Sequence, residues 1–185
     1  MSTMTEKFLL YRIRTKRDSD AFGELYDGYV ERIYRFIYFK ISNREEAEDL
    51  TSDVFLKLWN YLIDDRSRRP DVKSVSGLAY AIARNTVVDW YRDRAKKQEQ
   101  ALIEELVEPA AADIVEKLHT AYDADQLLRV IKTLKQEYQE VILLRFIEEL
   151  SITEIADVIG KKKTAVRVTL HRAVKKLREM TGTRN

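Results

Sequence analysis

The sequence predicts an all-α chain of two small helical domains joined by a flexible acidic linker. Three observations carry that expectation. Apolar residues recur three and four apart over most of the chain, the spacing of helix faces. Only five glycines and two prolines interrupt 185 residues. Between two periodic blocks, residues 98–125 hold eight acids against the single Lys117. No run alternates apolar and polar long enough to make a strand. At roughly 150 residues per domain the length suits one domain or two small ones, and 45% apolar residues exclude a disordered or fibrous chain.

Each element follows in order. Over residues 20–62, Phe22, Leu25, Tyr26, Tyr29, Ile33, Phe36 and Ile37 form one helical spine, and Ala47, Leu50, Val54, Leu58 and Leu62 form a second. The acidic start of that second helix, with Phe55, Leu56 and Trp59 partly off its spine, suggests an exposed aromatic and acidic surface suited to a protein interface. A second core face is the alternative. Residues 64–76, containing Arg66, Arg68, Arg69, Pro70, Asp71 and Lys73, break the pattern and read as a loop.

A helix from about Gly77 to Lys97 follows, with Leu78, Ala79, Ile82, Ala83, Thr86 and Trp90 on its packed side. Opposite lie Tyr80, Arg84, Val88, Tyr91 and Arg92, with Asn85 at the edge. Cations interleaved with aromatics suit single-stranded nucleic acid, because charges track the backbone while rings stack on bases. A surface helix with tyrosines at its rim is the alternative. Residues 98–125, with Pro109, read as a tether. Helical pattern returns at Gln126 and runs nearly to the end, so the expected domains are 1–97 and 126–185, with the linker at 98–125.

In the second domain, an amphipathic stretch from Leu127 to Leu144 precedes Ser151 and Glu154. Spaced three apart, these two make a capping box, the hydroxyl and the carboxylate each satisfying a backbone donor at a helix start. Gly160 suits the left-handed residue that ends that helix about two turns later. A further helix with apolar Val166, Leu170, Ala173, Val174 and Leu177 completes a helix-turn-helix. Its outward side carries Thr164, Arg167, Val168, His171 and Lys175, placed to enter a major groove.

The net charge of +2 hides a partition along the chain. Residues 1–95 balance at +1, residues 96–125 at −5 and residues 126–185 at +6. Residues 160–178 hold eight cations and no acid, the footprint of a polyanion contact. Lys161, Lys162 and Lys163 sit at the positive end of a helix dipole, an arrangement that a bound phosphate would stabilise.

Other classes of function lose support. Without cysteine there is no disulfide framework, thiolate zinc site or thiol nucleophile. There is no phosphate-cradling Gly-rich loop, and His119 and His171 stand alone, so no catalytic residue, metal or cofactor is expected. Charges through the first twenty residues leave no signal-peptide core. No stretch approaches the roughly 20 apolar residues of a membrane span, and the expected address is the cytoplasm without membrane insertion.

Three phrases in register resemble the bacterial RNA polymerase sigma factors, specifically the extracytoplasmic-function (ECF) group, which keeps only regions 2 and 4. They are Ala47-Glu48-Asp49-Leu50-Thr51 with Val54-Phe55-Leu56-Lys57-Leu58-Trp59, then Ile82-Ala83-Arg84-Asn85 with Asp89-Trp90, then Val141 to Phe146 leading into Glu154-Ile155-Ala156. The resemblance implies a region 2 helical bundle and a region 4 helix-turn-helix. It implies that Asp49, Asp53, Phe55 and Trp59 dock on the clamp coiled coil of the polymerase's largest subunit, and that region 4 meets the flap of the second-largest subunit. Arg68, Arg69, Lys73, Tyr80, Arg84, Asn85, Tyr91 and Arg92 would take the −10 element, with a base flipped into a pocket of the loop. Lys162, Lys163, Thr164, Arg167, Thr169, His171 and Arg172 would take the −35 element.

An anti-sigma factor is an implied partner, and the acidic linker would lie in a polymerase channel that normally holds RNA. The chain departs from the family at Ser52, where Gln is usual, and at Lys161 and Lys162, where a hydrophobic residue and a capping Ser are usual. Its Ala165-Val166-Arg167-Val168-Thr169 also replaces the common Thr-Val-Lys-Ser-Arg run, so promoter sequence does not transfer from relatives. The competing reading is a stand-alone helix-turn-helix regulator with an unrelated helical interaction module.

Overall fold

A computed structural model of the chain describes residues 3–64, 72, 74–101 and 122–181. The chain divides into two compact units, Met1–Ala111 and Ala112–Asn185. Among the described residues every regular element is helical. The first unit holds α1 (Thr3–Lys16), α2 (Ser19–Ile41), α3 (Arg44–Ile63) and α4 (Val75–Ala101). The second holds α5 (Tyr122–Thr133), α6 (Gln136–Ile142), a π-helical turn (Leu143–Ile147), α7 (Ile152–Ile159) and α8 (Lys163–Thr181). Most of the tether, including Pro109 and His119, lies outside the described residues, as do Arg68, Arg69 and Lys73.

The helix boundaries have local causes. The Asp18 carboxylate accepts from the backbone N–H of Asp20 and Ala21 and starts α2. Ser42 ends it in the left-handed region at φ 55°. Asn43 then caps α3 by accepting from Glu46 N at 3.1 Å, and Glu45 and Glu46 suit the positive end of its dipole. Helix α1 was not expected from periodicity. Its buried Leu9 and Ile13 lie four apart, Arg12 Nε donates to Asp18 at 2.8 Å, and the Tyr29 hydroxyl donates to Glu6 at 2.6 Å. Burial, and then the Glu6 carboxylate, push the Tyr29 phenol well above its ordinary value.

The core of the first unit corrects two expectations. Tyr80 was placed on the nucleic-acid face of α4, yet it is 0% exposed and meets Phe36 edge to face at 5.4 Å. Helix α4 packs against both α2 and α3, so its covered arc is wider than a single apolar stripe and takes in Val75, Ala79, Tyr80, Ala83, Thr86 and Val87. Leu78, Ile82 and Trp90, expected on the packed side, are only half-buried. Phe55, expected at the polymerase surface, is also buried. Its ring lies 4.6 Å from Tyr26 and 6.5 Å from Phe22, because α2 presents aromatics just where α3 turns Phe55 inward. Burial of each such side chain is worth roughly 1.5–3 kcal/mol, and Phe55 contributes to the stability of this core.

In the second unit the capping box forms as expected. Ser151 Oγ accepts from Glu154 N at 3.2 Å while Glu154 accepts from Ser151 N at 2.8 Å. Gly160 ends α7 at φ 65°. The expected Leu127–Leu144 stretch is broken instead at Leu134 and Lys135, where the Gln139 amide donates to the carbonyls of Lys132 and Leu134 and satisfies the end of α5. The π turn closes through Glu148 N to Leu143 O at 3.0 Å. Val166 and Ala173 bury one side of α8 against α6 and α7.

Candidate nucleic-acid interface

On the first unit, α3 and α4 run side by side and leave a cleft of about 400 Å³. Helix α3 contributes Lys57, Asn60 and Tyr61, with Asp64 at its end, and α4 contributes Ile82, Asn85, Thr86 and Asp89. Lys57 Nζ donates to Thr86 Oγ1 at 3.1 Å and lies 3.9 Å from Asp53. The ammonium is thereby held at the cleft wall with donor capacity to spare. Among the described residues the side-chain amides of Asn60 and Asn85 have no hydrogen-bond partner. The cleft thus presents a cation, free amides, an aromatic and two carboxylates, a set suited to a base edge and its backbone.

Of the residues expected at the −10 element, Asn85 lines this cleft. Arg92 lies seven residues on, on the same stripe of α4, and pairs with Asp89 at 3.4 Å. Arg84 and Tyr91 occupy a different flank of the helix. The Tyr91 hydroxyl donates to Lys40 O at 2.6 Å, which fastens α4 to the end of α2, and burial raises the phenol's pKa. Lys57, Asn60, Tyr61 and Asp89 were missed as site residues. The signal was available in part, since Lys57, Asn60, Tyr61 and Asp64 recur three and four apart at the end of an otherwise apolar spine.

Away from the core, α3 exposes Asp49, Asp53 and Leu56, four and three residues apart. Leu56 is 58% exposed. Trp59 is half-buried, edge to face with Phe22 at 5.0 Å. The acidic and apolar surface therefore exists with Leu56, not Phe55, as its exposed hydrophobe.

On the second unit, Lys162, Lys163, Thr164, Arg167, His171 and Arg172 are all exposed, and Thr169 is half-buried at the flank of α8. Lys161 pairs with Glu137 at 3.8 Å and Lys176 with Glu179 at 3.4 Å. Among the described residues no ion pair engages Lys162, Lys163, Arg167, Arg172 or Lys175. These unneutralised cations, at the start of α8, on its two flanks and on the side away from Val166 and Ala173, are a ready seat for phosphates. No group of three or more His, Cys, Asp and Glu side chains that could hold a metal occurs among the described residues.

Comparison with known proteins decides the family. The Sigma-70 region 2 model matches residues 25–97, and the Sigma-70 region 4 model matches residues 124–177. The RNA polymerase sigma factor YlaC of Bacillus subtilis is 32% identical over 168 residues, covering 89% of this chain and 95% of that one. The ECF RNA polymerase sigma factor SigW of the same organism is 30% identical, covering 89% and 90%. The chain belongs to the ECF group of RNA polymerase sigma factors. It is also 34% identical to the ECF sigma factor BldN of Streptomyces coelicolor, over 86% of this chain but only 60% of that longer relative.

The fold of this sigma factor is likewise that of solved members. Its structure resembles RpoE in a complex with the anti-sigma factor NepR from Bartonella quintana, with a TM-score of 0.70 at 18% identity over 89% of this chain and 98% of that one. It also resembles CnrH in a complex with the cytosolic domain of CnrY, with a TM-score of 0.66 at 22% identity over 96% and 97%. Among the described residues no helix is long and apolar enough to cross a membrane.

Proposed function

We propose that this chain binds core RNA polymerase in the cytoplasm and directs it to promoters, without catalysis or a cofactor of its own. The observation that carries the reading is the presence of regions 2 and 4 in order in one chain, the second bearing a helix of unneutralised cations. In this account Asp49, Asp53, Leu56 and Trp59 dock on the clamp coiled coil of the largest subunit. The α3–α4 cleft, with Arg92 beside it and the segment that contains Arg68, Arg69 and Lys73, takes the non-template strand at −10. A base that has left the stack costs a few kcal/mol to extrude, a cost offset by edge hydrogen bonds and stacking in a pocket.

The start of α8 takes the −35 element. Lys162 and Lys163 meet phosphates at its positive end, and Arg167 and Arg172 reach base edges or backbone one and two turns further on. Region 4 rests on the flap of the second-largest subunit. One structural relative, RpoE, is in complex with the anti-sigma factor NepR, which supports a similar partner here, competing for the exposed apolar and acidic face of α3. The test is co-purification of tagged full-length chain with core polymerase. We expect a stoichiometric complex that Asp53→Lys and Leu56→Ala weaken. A chain that binds duplex DNA but never retains core polymerase would instead be a stand-alone helix-turn-helix regulator.

A further inference from the structure

We infer that Val168 makes binding by α8 depend on a pyrimidine 5-methyl group, so that methylation of cytosine at one position of the DNA would change the choice of promoter. The inference rests on the proposed −35 role of α8 and adds the chemical group that is read, the residue that reads it and a route to regulation. Its starting point is an anomaly of polarity. The exposed large hydrophobics of α8 are Val168, 49% exposed, and Met180, 43% exposed. Met180 lies in the last turn. Val168 stands in the second turn on the outward side, with exposed Thr164 one turn before it and exposed His171 and Lys175 one and two turns after it.

The fold gives that side chain no task. The packing of α8 uses Val166 and Ala173, both 0% exposed, and two residues after Val166 a helical side chain points away from the covered side. A β-branched residue is also a weaker helix former than Lys, Arg, Gln or Glu. In a major groove the base edges are donors and acceptors with one apolar exception, the 5-methyl of thymine. The second turn of a recognition helix belongs to the part that approaches those edges. Thr164 and Ala165, small and exposed one turn earlier, let the helix come close enough for the short valine branch to reach a methyl. Lys162 and Lys163 hold phosphates and leave this choice of base to other side chains. A methyl on C5 of cytosine projects into the groove at the same place, so Val168 reads it as it reads thymine and gains nothing from unmethylated cytosine.

The experiment uses holoenzyme reconstituted from core polymerase and the full chain. A promoter is first selected from duplex templates randomised across the −35 region. Its affinity is then measured with each thymine of either strand of that element replaced in turn by uracil, which removes the methyl and keeps every donor and acceptor. We expect one position at which uracil weakens binding about fourfold, the scale of one buried methyl. With Val168→Ser, thymine and uracil templates should bind alike at that position, while responses elsewhere stay as they were. With cytosine placed there, 5-methylcytosine should exceed cytosine by about the same factor for the unmodified chain and not for the variant. A merely structural role would weaken thymine and uracil templates equally and so keep their ratio. A −35 element with no uracil-sensitive position, or a sensitivity that Val168→Ser retains, overturns the methyl assignment while the sigma reading stands. A selection that enriches no −35 element overturns the −35 role of α8 and the inference with it.

Discussion

Lys57 on α3 and Thr86 on α4 are joined across the cleft by a hydrogen bond of 3.1 Å. That bond aligns a cation with the Asn85 and Asp89 wall and ties α3 to α4 through residues 29 positions apart in sequence. Lys57→Met should therefore weaken promoter melting strongly, since it removes the charge. Thr86→Val should weaken it less, since the cation remains and only its position loosens. Either change should cost about 1 kcal/mol of stability or less, as expected for a half-exposed polar contact. Permanganate footprinting of melted DNA, beside thermal denaturation, separates the two effects. Equal loss of melting in both variants would assign the role to the bond and not to the charge.

Phe55 and Leu56 are adjacent in sequence and opposite in expected consequence. Phe55→Ala should cost roughly 3–5 kcal/mol by emptying the space between Phe22 and Tyr26, a large share of the stability of a domain of this size. Leu56→Ala should leave the melting temperature nearly unchanged and reduce the affinity for core polymerase. Calorimetry and a core-binding titration on the same two variants check this, and a folded Phe55→Ala with normal stability would contradict the packing described.

Gly160 ends α7 at φ 65°, and a methyl group added there would meet nothing within 4 Å. The cost of Gly160→Ala is then conformational alone, about 1–2 kcal/mol. Asn visits the left-handed region more readily than Ala, so Gly160→Asn should cost less. Ser151→Ala should cost about 1 kcal/mol through the lost cap. Denaturant unfolding of the full chain followed on the second unit's helices measures all three.

Asp18 gives the chain an acid-sensitive joint. Backbone donation from Ala21, then the Arg12 guanidinium, holds its carboxyl below the ordinary 3.8. A carboxyl depressed in the folded state contributes stability that is fully present above the ordinary value and is lost as the pH falls through the lowered folded one. The stability difference between the unmodified chain and Asp18→Asn should be constant near neutrality and shrink below about pH 4. A difference that grows on acidification would contradict the Arg12–Asp18–Ala21 arrangement.

How far the sequence led depends on which kind of information each feature needs. The Ser151–Glu154 box and Gly160 are local, determined by backbone groups within four residues, and both formed where expected. The spines of α2 and α3 were visible because each has one dominant apolar stripe. Tyr80 and Phe55 were misplaced for the opposite reason: periodicity tells which residues share a face, but only Phe36 and the Phe22–Tyr26 pair reveal that a neighbour covers it. The cleft escaped notice because its residues come from two helices that only tertiary packing brings together. Helix α1 escaped because charged residues mask its short Leu9–Ile13 stripe.

The cations of α8 carry a prediction in salt. If about five of them neutralise phosphates, log affinity for duplex DNA should fall with log salt at a slope of roughly −4 to −5. Arg167→Ala should change base preference, whereas Lys175→Ala should weaken all sequences alike and flatten the slope by about one unit.

The most direct test of the whole account is transcription from reconstituted components. Core polymerase supplemented with the full chain, acting on a template library randomised at −35 and −10, should initiate at one class of template carrying two fixed elements. Arg167→Ala should alter the upstream element, and Asn85→Ala should weaken the downstream one. Initiation that is no more selective than core polymerase alone would contradict the claim that this chain directs promoter choice.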